Sequence, residues 1–343
     1  MNRQALLQTL RRVLLVLLVA AAPGAAPAAG APKTGYATRP EVRAFIAALA
    51  ATDGFDAVAL RDLFAHVRAQ PKVVAAMSRP LLAPPKWYDY SPQFLSQARI
   101  DAGIAFWRDN AAALARAQSV FGVPAEVIVA IIGVETFYGR TTGSYRVIDA
   151  LSTLAFDYPR RAEYFQAELR QFLLLAREQG WSPLAPKGSF AGAMGLPQFM
   201  PGSIRTYAVD FGGDGRIDLS ADAADAIGSV ANYLAQHGWQ PGQPVMQTIR
   251  FEPEAQDIAL GLFDGGLTER RSVAEWVGMG IAGFTIPGDL AADPVGLLLL
   301  ELPAGDSYWM VFNNWYVLTR YNRSRLYASA VWQLAQAVSA GRP

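Results

Sequence analysis

Apolar residues recur at helical spacing through most of the chain from residue 40 onward. The first such segment, "PEVRAFIAALAATDG", begins at Pro40 and ends at Gly54, and these residue types favour the first turn of a helix and the position after its last turn. Later segments, including "SPQFLSQARIDAGIAFWRDNAAALARAQSVFG" and "PAEVIVAIIGVETFYG", have the same spacing. The pattern therefore predicts a mainly helical protein.

From Val245 to Pro303 the pattern is different. Runs of β-branched and aromatic residues, such as "VMQTIRF", "GFTIPG", "VGLLLLEL" and "YWMVF", are separated by Gly and Pro, which is typical of short strands. Helical spacing returns from Ser324 to Ala340. We therefore predict an α+β fold that is mainly helical. Its predicted parts are a helical lobe at about 40–122, a core at about 123–244 and 306–343, and a β-rich part at about 245–305.

The first 28 residues have the pattern of an export signal. Basic residues, ending in Arg11 and Arg12, precede the apolar stretch from Val13 to Ala22, and the small residues "APA" follow as a cleavage site. The apolar stretch is shorter than the roughly twenty residues that cross a membrane. We predict a signal peptide at 1–28 and a flexible leader at 29–39. The paired arginines leave a twin-arginine route open beside ordinary secretion.

Composition restricts the remaining function classes. Thirty basic residues against 29 acidic ones give a formal charge of +1, so there is no electrostatic case for nucleic-acid binding. The chain has no cysteine, so it can form no disulfide and carry no lipid on a cysteine. His66 and His237 are the only histidines, which leaves little for a His-rich zinc site or a Ser-His-Asp triad. We predict a soluble mature protein without a membrane span.

One acidic residue, Glu135, lies in the apolar run "IIGVETFYGR". On a helix with Pro124 in its first turn and Gly139 just after its last turn, Glu135 shares an inward-facing stripe with Ile128 and Ile131. An apolar surround and the negative end of the helix dipole both raise the pKa of a carboxyl group. A carboxylic acid that stays protonated near neutral pH can act as a general acid. The alternative is a structural glutamate that is hydrogen-bonded across a domain seam.

A second unusual segment is "GSFAGAMGLPQFMP", from Gly188 to Pro201. Its small residues allow a bulky ligand to approach the backbone, and the hydroxyl of Ser189 and the amide of Gln198 can orient that ligand. A tight turn between helices would explain the glycines equally well. It explains less well why Gln198 lies among apolar residues.

The acidic segment "DFGGDGRIDLSADAAD" has features of a calcium-binding loop of the EF-hand type. Asp at the first and fifth positions and Gly at the sixth match that pattern, but Gly212 at the third position offers no side-chain oxygen and the loop is longer than twelve residues. The alternative is a turn whose acids cap the helix that starts near Ala224. The predicted ligands are Asp210, Asp214, the backbone carbonyl of Arg216 and Asp225, with Asp222 as a substitute for Asp225.

Taken in order, these segments resemble the lytic murein transglycosylase B family. "VETFYG" is followed by "AGAMGLPQFMPGSIRTYAVDFGGDGRIDL", "DAIGSVANYLAQHGW" and "LTRYNRSRLYASAV", and the similarity runs from about Pro40 to Val338. The resemblance implies a lysozyme-like core and a periplasmic enzyme whose substrate is the glycan strand of peptidoglycan. It also implies wall-synthesis enzymes as candidate partners, and a calcium ion with a structural role at most, with no cofactor for the chemistry.

The resemblance further implies that Glu135 is a single catalytic residue. It would protonate the oxygen that links N-acetylmuramic acid to N-acetylglucosamine and then accept a proton from the muramic C6 hydroxyl, which attacks within the sugar. Cleavage by water usually requires a second carboxylate, whereas an internal nucleophile does not. The product would carry a 1,6-anhydromuramyl end.

Two alternatives remain at this point. The nearest downstream acids are Asp149 and Asp157, and a catalytic Asp157 would make the protein a muramidase that leaves reducing ends. Pairing of Asp157 beside Arg160 and Arg161 is the structural explanation for that acid. The other alternative is a non-catalytic glycan-binding wall scaffold, which the retention of Glu135 argues against.

Substrate contacts are also implied by the matching motifs. Two residues of the Gly-rich segment would lie beside the glutamate, three from "YPRRAEYF" would face peptide or sugar groups, and four later ones would close the other wall. Tyrosine suits a glycan because its ring stacks on sugar C–H surfaces while its hydroxyl hydrogen-bonds. Packing in the core is the alternative for each aromatic residue. The implied set is Ser189, Gln198, Arg160, Arg161, Tyr164, Tyr233, Tyr321, Asn322 and Tyr327.

Overall fold

The computed structural model describes residues 35–79, 85–251, 269–283, 290 and 292–341. The predicted signal peptide, most of the leader that follows it, and most of the predicted strand "GFTIPG" lie outside the described residues. In chain order the helices are α1 (Pro40–Asp53), α2 (Ala57–Ala65), α3 (Pro71–Met77), α4 (Trp87–Tyr90), α5 (Gln97–Asp109), α6 (Ala111–Phe121), α7 (Ala125–Thr136), α8 (Val147–Asp157), α9 (Ala162–Glu178), α10 (Pro201–Tyr207), α11 (Ala223–Gln236), α12 (Val273–Gly278), α13 (Asn313–Tyr321) and α14 (Arg325–Ala340).

Strands are short and antiparallel, and they form small sheets. β1 pairs with β2, β4 pairs with β6, and the largest sheet has the strand order β3-β8-β7-β5. In that sheet Trp309 lies opposite Thr248 on one side and Leu298 on the other. The strands are β1 (Tyr145–Arg146), β2 (Lys187–Gly188), β3 (Met246–Thr248), β4 (Arg250–Phe251), β5 (Arg271–Ser272), β6 (Ile281–Ala282), β7 (Pro294–Leu300) and β8 (Ser307–Val311).

The chain divides into two compact units. Of the described residues, the first unit contains 35–79 and 139–229, and the second unit contains 85–138 and 230–341 with its gaps. The predicted division into a helical lobe, a core and a β-rich part stays a prediction.

The first unit is organised around α9. This helix packs against α8 and α10. Phe165, Leu169 and Phe172 follow one another at four- and three-residue intervals and are all buried, so they form the apolar face of the helix. On the opposite face, the charged residues Glu163, Arg170 and Arg177 are exposed.

The second unit is organised around α7, which packs against α14, α5 and α6. Nearly every residue of α7 is buried, so the helix is apolar on all sides. The run of Val and Ile that it contains has only moderate helix propensity, and burial against three neighbouring helices stabilises it.

Both ends of α7 differ from the sequence prediction. Pro124 precedes the first helical turn, and the helix ends at Thr136, three residues before Gly139. Phe137 and Tyr138 both have left-handed backbone conformations, with φ angles of 53° and 56°. Two consecutive non-glycine residues in this region are unusual, and the packing described below holds them there.

In the part of the chain that the structure describes, no single helix has the length and apolar composition to cross a membrane. The pair α6 and α7 is together long and apolar enough, but it is bent by 115°.

Candidate active site

Glu135 lies in the last turn of α7, inside the second unit. Its side chain is half-buried. The hydroxyl of Tyr327, a fully buried residue near the start of α14, donates a hydrogen bond of 2.7 Å to Glu135 Oε1. The packing of α14 on α7 brings together these two residues, which are 192 positions apart in sequence.

Burial raises the pKa of Glu135 to about 8, and the hydrogen bond from Tyr327 acts in the opposite direction. Loss of hydration disfavours the charged carboxylate, whereas a donated hydrogen bond favours it. Burial is the larger effect, so Glu135 holds its proton at neutral pH. The sequence prediction of a raised pKa is therefore confirmed, and the carboxyl group is in the state that a general acid requires.

Tyrosines surround this carboxyl group in the second unit. The rings of Tyr321 and Tyr327 are parallel with their centroids 6.3 Å apart, and Tyr233 meets Tyr321 edge-on at 4.9 Å. Burial and the negative charge of Glu135 both raise the pKa of Tyr321 and Tyr327, so these hydroxyls remain protonated donors. Tyr233 is fixed because its hydroxyl donates to the carbonyl of Arg320 at 2.7 Å.

Asn322 follows Tyr321 directly at the end of α13 and is buried. The second unit therefore contains five of the residues that the sequence singles out. They are Glu135, Tyr233, Tyr321, Asn322 and Tyr327.

Sequence reasoning missed Tyr90. This buried residue ends α4 and packs its ring against Phe94, with the centroids 5.0 Å apart. Burial and the charge of Glu135 raise the pKa of Tyr90, which places its hydroxyl in the electrostatic environment of the acid. That hydroxyl has no hydrogen-bond partner among the described residues. Nothing in "WYDYSPQFL" distinguishes Tyr90 from its aromatic neighbours, because only the fold brings it near Glu135.

The turn after Glu135 is held by α5. Arg99 donates a hydrogen bond to the carbonyl of Gly133, and its guanidinium lies 4.5 Å from the centroid of the Phe137 ring. Tyr138 stacks on Phe106, with its hydroxyl against the backbone of Gly133. Phe137 and Tyr138 therefore pack against α5 and position the helix end.

The Gly-rich segment belongs to the first unit, where both of its singled-out polar residues organise the loop. The hydroxyl of Ser189 accepts hydrogen bonds from the N–H groups of Ala191 and Ala193, at 3.3 and 3.0 Å. Gln198 has a φ of 52°, and its amide nitrogen donates to the carbonyls of Thr142 and Gly195, at 3.1 and 2.9 Å. Within the described residues, the Ser189 hydroxyl proton and the Gln198 amide oxygen make no hydrogen bond, so both can bind a ligand.

Residues of "YPRRAEYF" form a basic, partly exposed corner of the first unit. Arg160 and Arg161 lie in the short 3₁₀ turn before α9, and Tyr164 lies in the first turn of that helix. The guanidinium of Arg161 is 4.4 Å from the centroid of the Tyr164 ring, and Tyr164 is 39% exposed. An exposed tyrosine backed by an arginine can contact a sugar or a peptide.

Both candidate second acids are engaged elsewhere in the first unit. Asp157 accepts a hydrogen bond from the Tyr36 hydroxyl at 2.5 Å and pairs with Arg39 at 2.8 Å, so its cation is not one of the arginines beside it in sequence. Asp149 is buried and pairs with Arg146 at 2.8 Å. These bonds explain both carboxylates without a catalytic role.

In the acidic loop, carboxylates accept hydrogen bonds from the loop's own amides. Asp210 accepts from the N–H groups of Gly213, Asp214 and Gly215, at 2.6 to 3.2 Å. Asp214 accepts from the N–H of Arg216 at 2.9 Å. These bonds fold the chain tightly around the first and fifth positions, which are the predicted calcium ligands.

Asp225, the predicted last ligand, holds the two ends of the loop together through backbone hydrogen bonds. It is buried, one oxygen accepts the N–H groups of Phe211 and Gly212, and the other accepts that of Asp218, all within 2.8 Å. Asp222 caps α11 with its Oδ1, as the alternative explanation expects, while its Oδ2 faces Gly212. Within the described ranges, no three Asp, Glu, His or Cys side chains are grouped so that they could hold a metal ion.

Comparison with known proteins identifies the family. The model of the transglycosylase SLT domain family matches residues 37–336. The chain is also similar to membrane-bound lytic murein transglycosylase B of Escherichia coli (strain K12), with 43% identity over 317 residues that cover 90% of this chain and 85% of the relative.

Solved structures agree with this match. Soluble lytic transglycosylase SltB1 from Pseudomonas aeruginosa is 48% identical, with a TM-score of 0.83 over 88% of this chain and 99% of the other. Escherichia coli Slt35 in complex with calcium is 42% identical, with a TM-score of 0.82 over 90% and 95%. SltB3 from Pseudomonas aeruginosa in complex with NAG-anhNAM-pentapeptide is 35% identical, with a TM-score of 0.76 over 88% and 79%.

These matches confirm the resemblance that the sequence motifs indicated, and they confirm a mainly helical α+β fold with small antiparallel sheets. The chain belongs to the lytic murein transglycosylase B family.

Proposed function

We propose that this protein cleaves the bond between N-acetylmuramic acid and N-acetylglucosamine in peptidoglycan and leaves a 1,6-anhydromuramyl end. The observation that carries the proposal is Glu135, whose burial raises its pKa to about 8 while Tyr327 holds its carboxyl group in place. The relative SltB3, solved with NAG-anhNAM-pentapeptide, supports a substrate of this class.

The reaction needs one acid that acts twice. Protonated Glu135 gives its proton to the glycosidic oxygen as the bond from that oxygen to the muramic C1 breaks. The C6 hydroxyl oxygen of the same sugar then bonds to C1, and its proton passes to the Glu135 carboxylate. Glu135 ends protonated and no water is consumed. The hydrogen bond from Tyr327 stabilises the carboxylate between these two transfers.

Replacement of Glu135 by Gln tests this assignment. Glu135→Gln cannot donate a proton and should lose activity by at least about 100-fold. Glu126→Gln is the matched control, since it removes an acid from the first turn of the same helix and should retain activity. The assay is mass spectrometry of the muropeptides released from peptidoglycan.

The same assay separates the alternatives. Anhydro ends from the wild type support the proposal, reducing ends would make the protein a muramidase, and no release would favour a glycan-binding scaffold. Retained activity in the Glu135→Gln variant would contradict the role given to this acid.

Substrate contacts form the second part of the proposal. In the second unit, the clustering of Tyr233, Tyr321, Asn322 and Tyr327 with Glu135 supports a sugar-binding wall. In the first unit, exposure of the Tyr164 ring and the unused polar atoms of the Gly-rich segment support contacts to sugar or peptide groups. The proposed set from that unit is Ser189, Gln198, Arg160, Arg161 and Tyr164.

The acidic loop is proposed to bind a structural calcium ion. Carboxylate and carbonyl oxygens suit this hard cation, and the relative Slt35 has been solved in complex with calcium. Asp210 and Asp214 have their positions set by the loop's amides. The last ligand is proposed to be Asp225, with Asp222 as its substitute, together with the Arg216 carbonyl. Calcium takes no part in the reaction.

Location completes the proposal. Among the relatives, one is named as membrane-bound and one as soluble. The signal pattern at 1–28 and the absence of cysteine support a soluble periplasmic enzyme, where peptidoglycan strands and wall-synthesis enzymes are the candidate partners.

A further inference from the structure

A groove of about 570 Å³ lies in the second unit between the edge of the largest sheet and α14. This volume is within the range of about 300–1,000 Å³ that small-molecule sites occupy. Its lining includes Gln247 on β3, Trp309 on β8, and Trp332, Gln333 and Gln336 on α14.

This groove is distinct from the Glu135 site. An α-helix turns by 100° per residue, so Gln336, nine residues after Tyr327, projects from the opposite side of α14. Tyr327 uses one side of the helix to reach Glu135, and the groove uses the other. The sheet fixes the second wall, because Trp309 is paired with Thr248 on β3 and with Leu298 on β7.

The lining of the groove is neutral and amphipathic. None of the described residues that line it is ionisable, and both tryptophans are half-buried. The amides of Gln247, Gln333 and Gln336 make no hydrogen bond to another described residue. The indole N–H of Trp309 is shielded from solvent and also has no partner in the described part of the chain.

We propose that this groove is a second saccharide-binding site, which takes a β-1,4-linked N-acetylhexosamine segment of a glycan strand. Indole rings stack on the C–H faces of sugars, and glutamine amides both donate to and accept from hydroxyl and acetamido groups. A neutral lining fits a neutral sugar and disfavours charged ligands. The choice of an N-acetylated sugar rests on the proposed function. The site would hold a strand while another part of that strand is cut.

The test uses chitotetraose, the β-1,4-linked tetramer of N-acetylglucosamine, with the full mature chain carrying Glu135→Gln. We expect the indole N–H signals of Trp309 and Trp332, assigned by Trp→Phe variants, to shift in ¹H–¹⁵N spectra as the sugar is added. The surface double variant Gln333→Ala/Gln336→Ala removes two amide contacts worth about 1 kcal/mol each, so the dissociation constant at these indoles should rise about 25-fold.

The matched control is Gln179→Ala, which removes a glutamine side chain in the first unit and should leave the dissociation constant for chitotetraose unchanged. Both glutamines of the double variant lie on the helix surface, so their replacement should leave the fold intact. Circular dichroism checks this independently. The inference would be overturned if the indole N–H signals did not shift at millimolar chitotetraose. It would also be overturned if the folded double variant had an unchanged dissociation constant.

The outcome for the groove is separable from the outcome for the proposed function. If the wild type releases anhydro muropeptides but the indoles do not respond, only the groove proposal fails. If the indoles respond and no anhydro ends appear, the saccharide site stands and the proposed reaction fails. When both hold, the double variant should digest insoluble peptidoglycan more slowly while its turnover of short soluble strands is unchanged.

Discussion

Two opposing effects act on the carboxyl group of Glu135. Burial raises its pKa to about 8, and the hydrogen bond from Tyr327 lowers it. Because the folded pKa exceeds the ordinary value near 4.5, the acid is protonated at pH 7 and loses its proton only as the pH rises through about 8. At the scale of a single residue, this balance determines when the enzyme can act.

The pH dependence of activity follows from that balance. The first step needs protonated Glu135, so kcat/KM should be level below pH 7 and fall tenfold per pH unit well above pH 8. The measurement is initial rates of anhydro-muropeptide release between pH 5 and 10. A profile that falls between pH 5 and 6 would show that Glu135 titrates as an ordinary carboxylate and would contradict the assignment.

Removal of the Tyr327 hydroxyl should change both the rate and this profile. In Tyr327→Phe the carboxylate loses a hydrogen bond to a charged group, worth about 1.5–3 kcal/mol, so the rate should fall about 10- to 150-fold. The pKa of Glu135 should rise, which moves the descending limb to higher pH. Tyr88→Phe, a change in the same unit outside the tyrosine cluster, is the control. If the rate falls but the descending limb of the pH–activity profile stays at the same pH, Tyr327 has only a structural role.

At the scale of elements, glycine and tyrosine together shape the end of α7. A Cβ atom added at Gly133 would lie 2.5 Å from Tyr138 Oη and 2.6 Å from its Cζ, which is closer than atoms can approach. Tyr138 can therefore lie against α7 only because position 133 has no side chain. Arg99 holds the same turn through the Gly133 carbonyl and the Phe137 ring.

Gly133→Ala should accordingly be destabilising, although alanine normally favours a helix. Displacement of the Tyr138 ring should lower the free energy of unfolding by about 1–3 kcal/mol, and activity should fall because Glu135 lies two residues away. Gly278→Ala is the matched control: this residue ends α12, has open space around it, and should be neutral or gain up to about 1 kcal/mol. Urea denaturation measures the free energy of unfolding of both variants. A Gly133→Ala variant as stable as Gly278→Ala would disprove the packing argument.

At the scale of the whole molecule, the proposed calcium site would link ion binding to stability. If the loop binds calcium only when folded, the ion stabilises the folded state by mass action, by about 2.7 kcal/mol when calcium is at 100 times its dissociation constant. Addition of a chelator should therefore lower the Tm, and Asp210→Asn/Asp214→Asn should abolish the difference. Magnesium, which prefers a smaller octahedral site, is the control ion. An unchanged Tm with chelator would count against the site.

Apolar spacing and short motifs in the sequence predicted much of the fold and the position of Glu135. Helical periodicity predicted α1, α5, α7 and α14, because each depends on apolar spacing within its own segment. The ends of α7 were predicted less well, since Phe137 and Tyr138 adopt left-handed conformations that depend on Arg99 and Gly133 rather than on their own propensity. The amide partners of Asp225 could not be predicted from the sequence, because they depend on how the loop folds.

By itself, the sequence determined the helical character, the short strands, the family and the acid Glu135, because each is encoded in contiguous residues. Only the tertiary structure decided which groups surround that acid. It brought Tyr327 to Glu135, although the two are 192 positions apart, and it placed Tyr90 near the same acid. It also paired Asp157 with Tyr36 and Arg39. The physical reason is that burial and hydrogen bonding depend on distance in space, whereas periodicity and motifs depend only on distance along the chain.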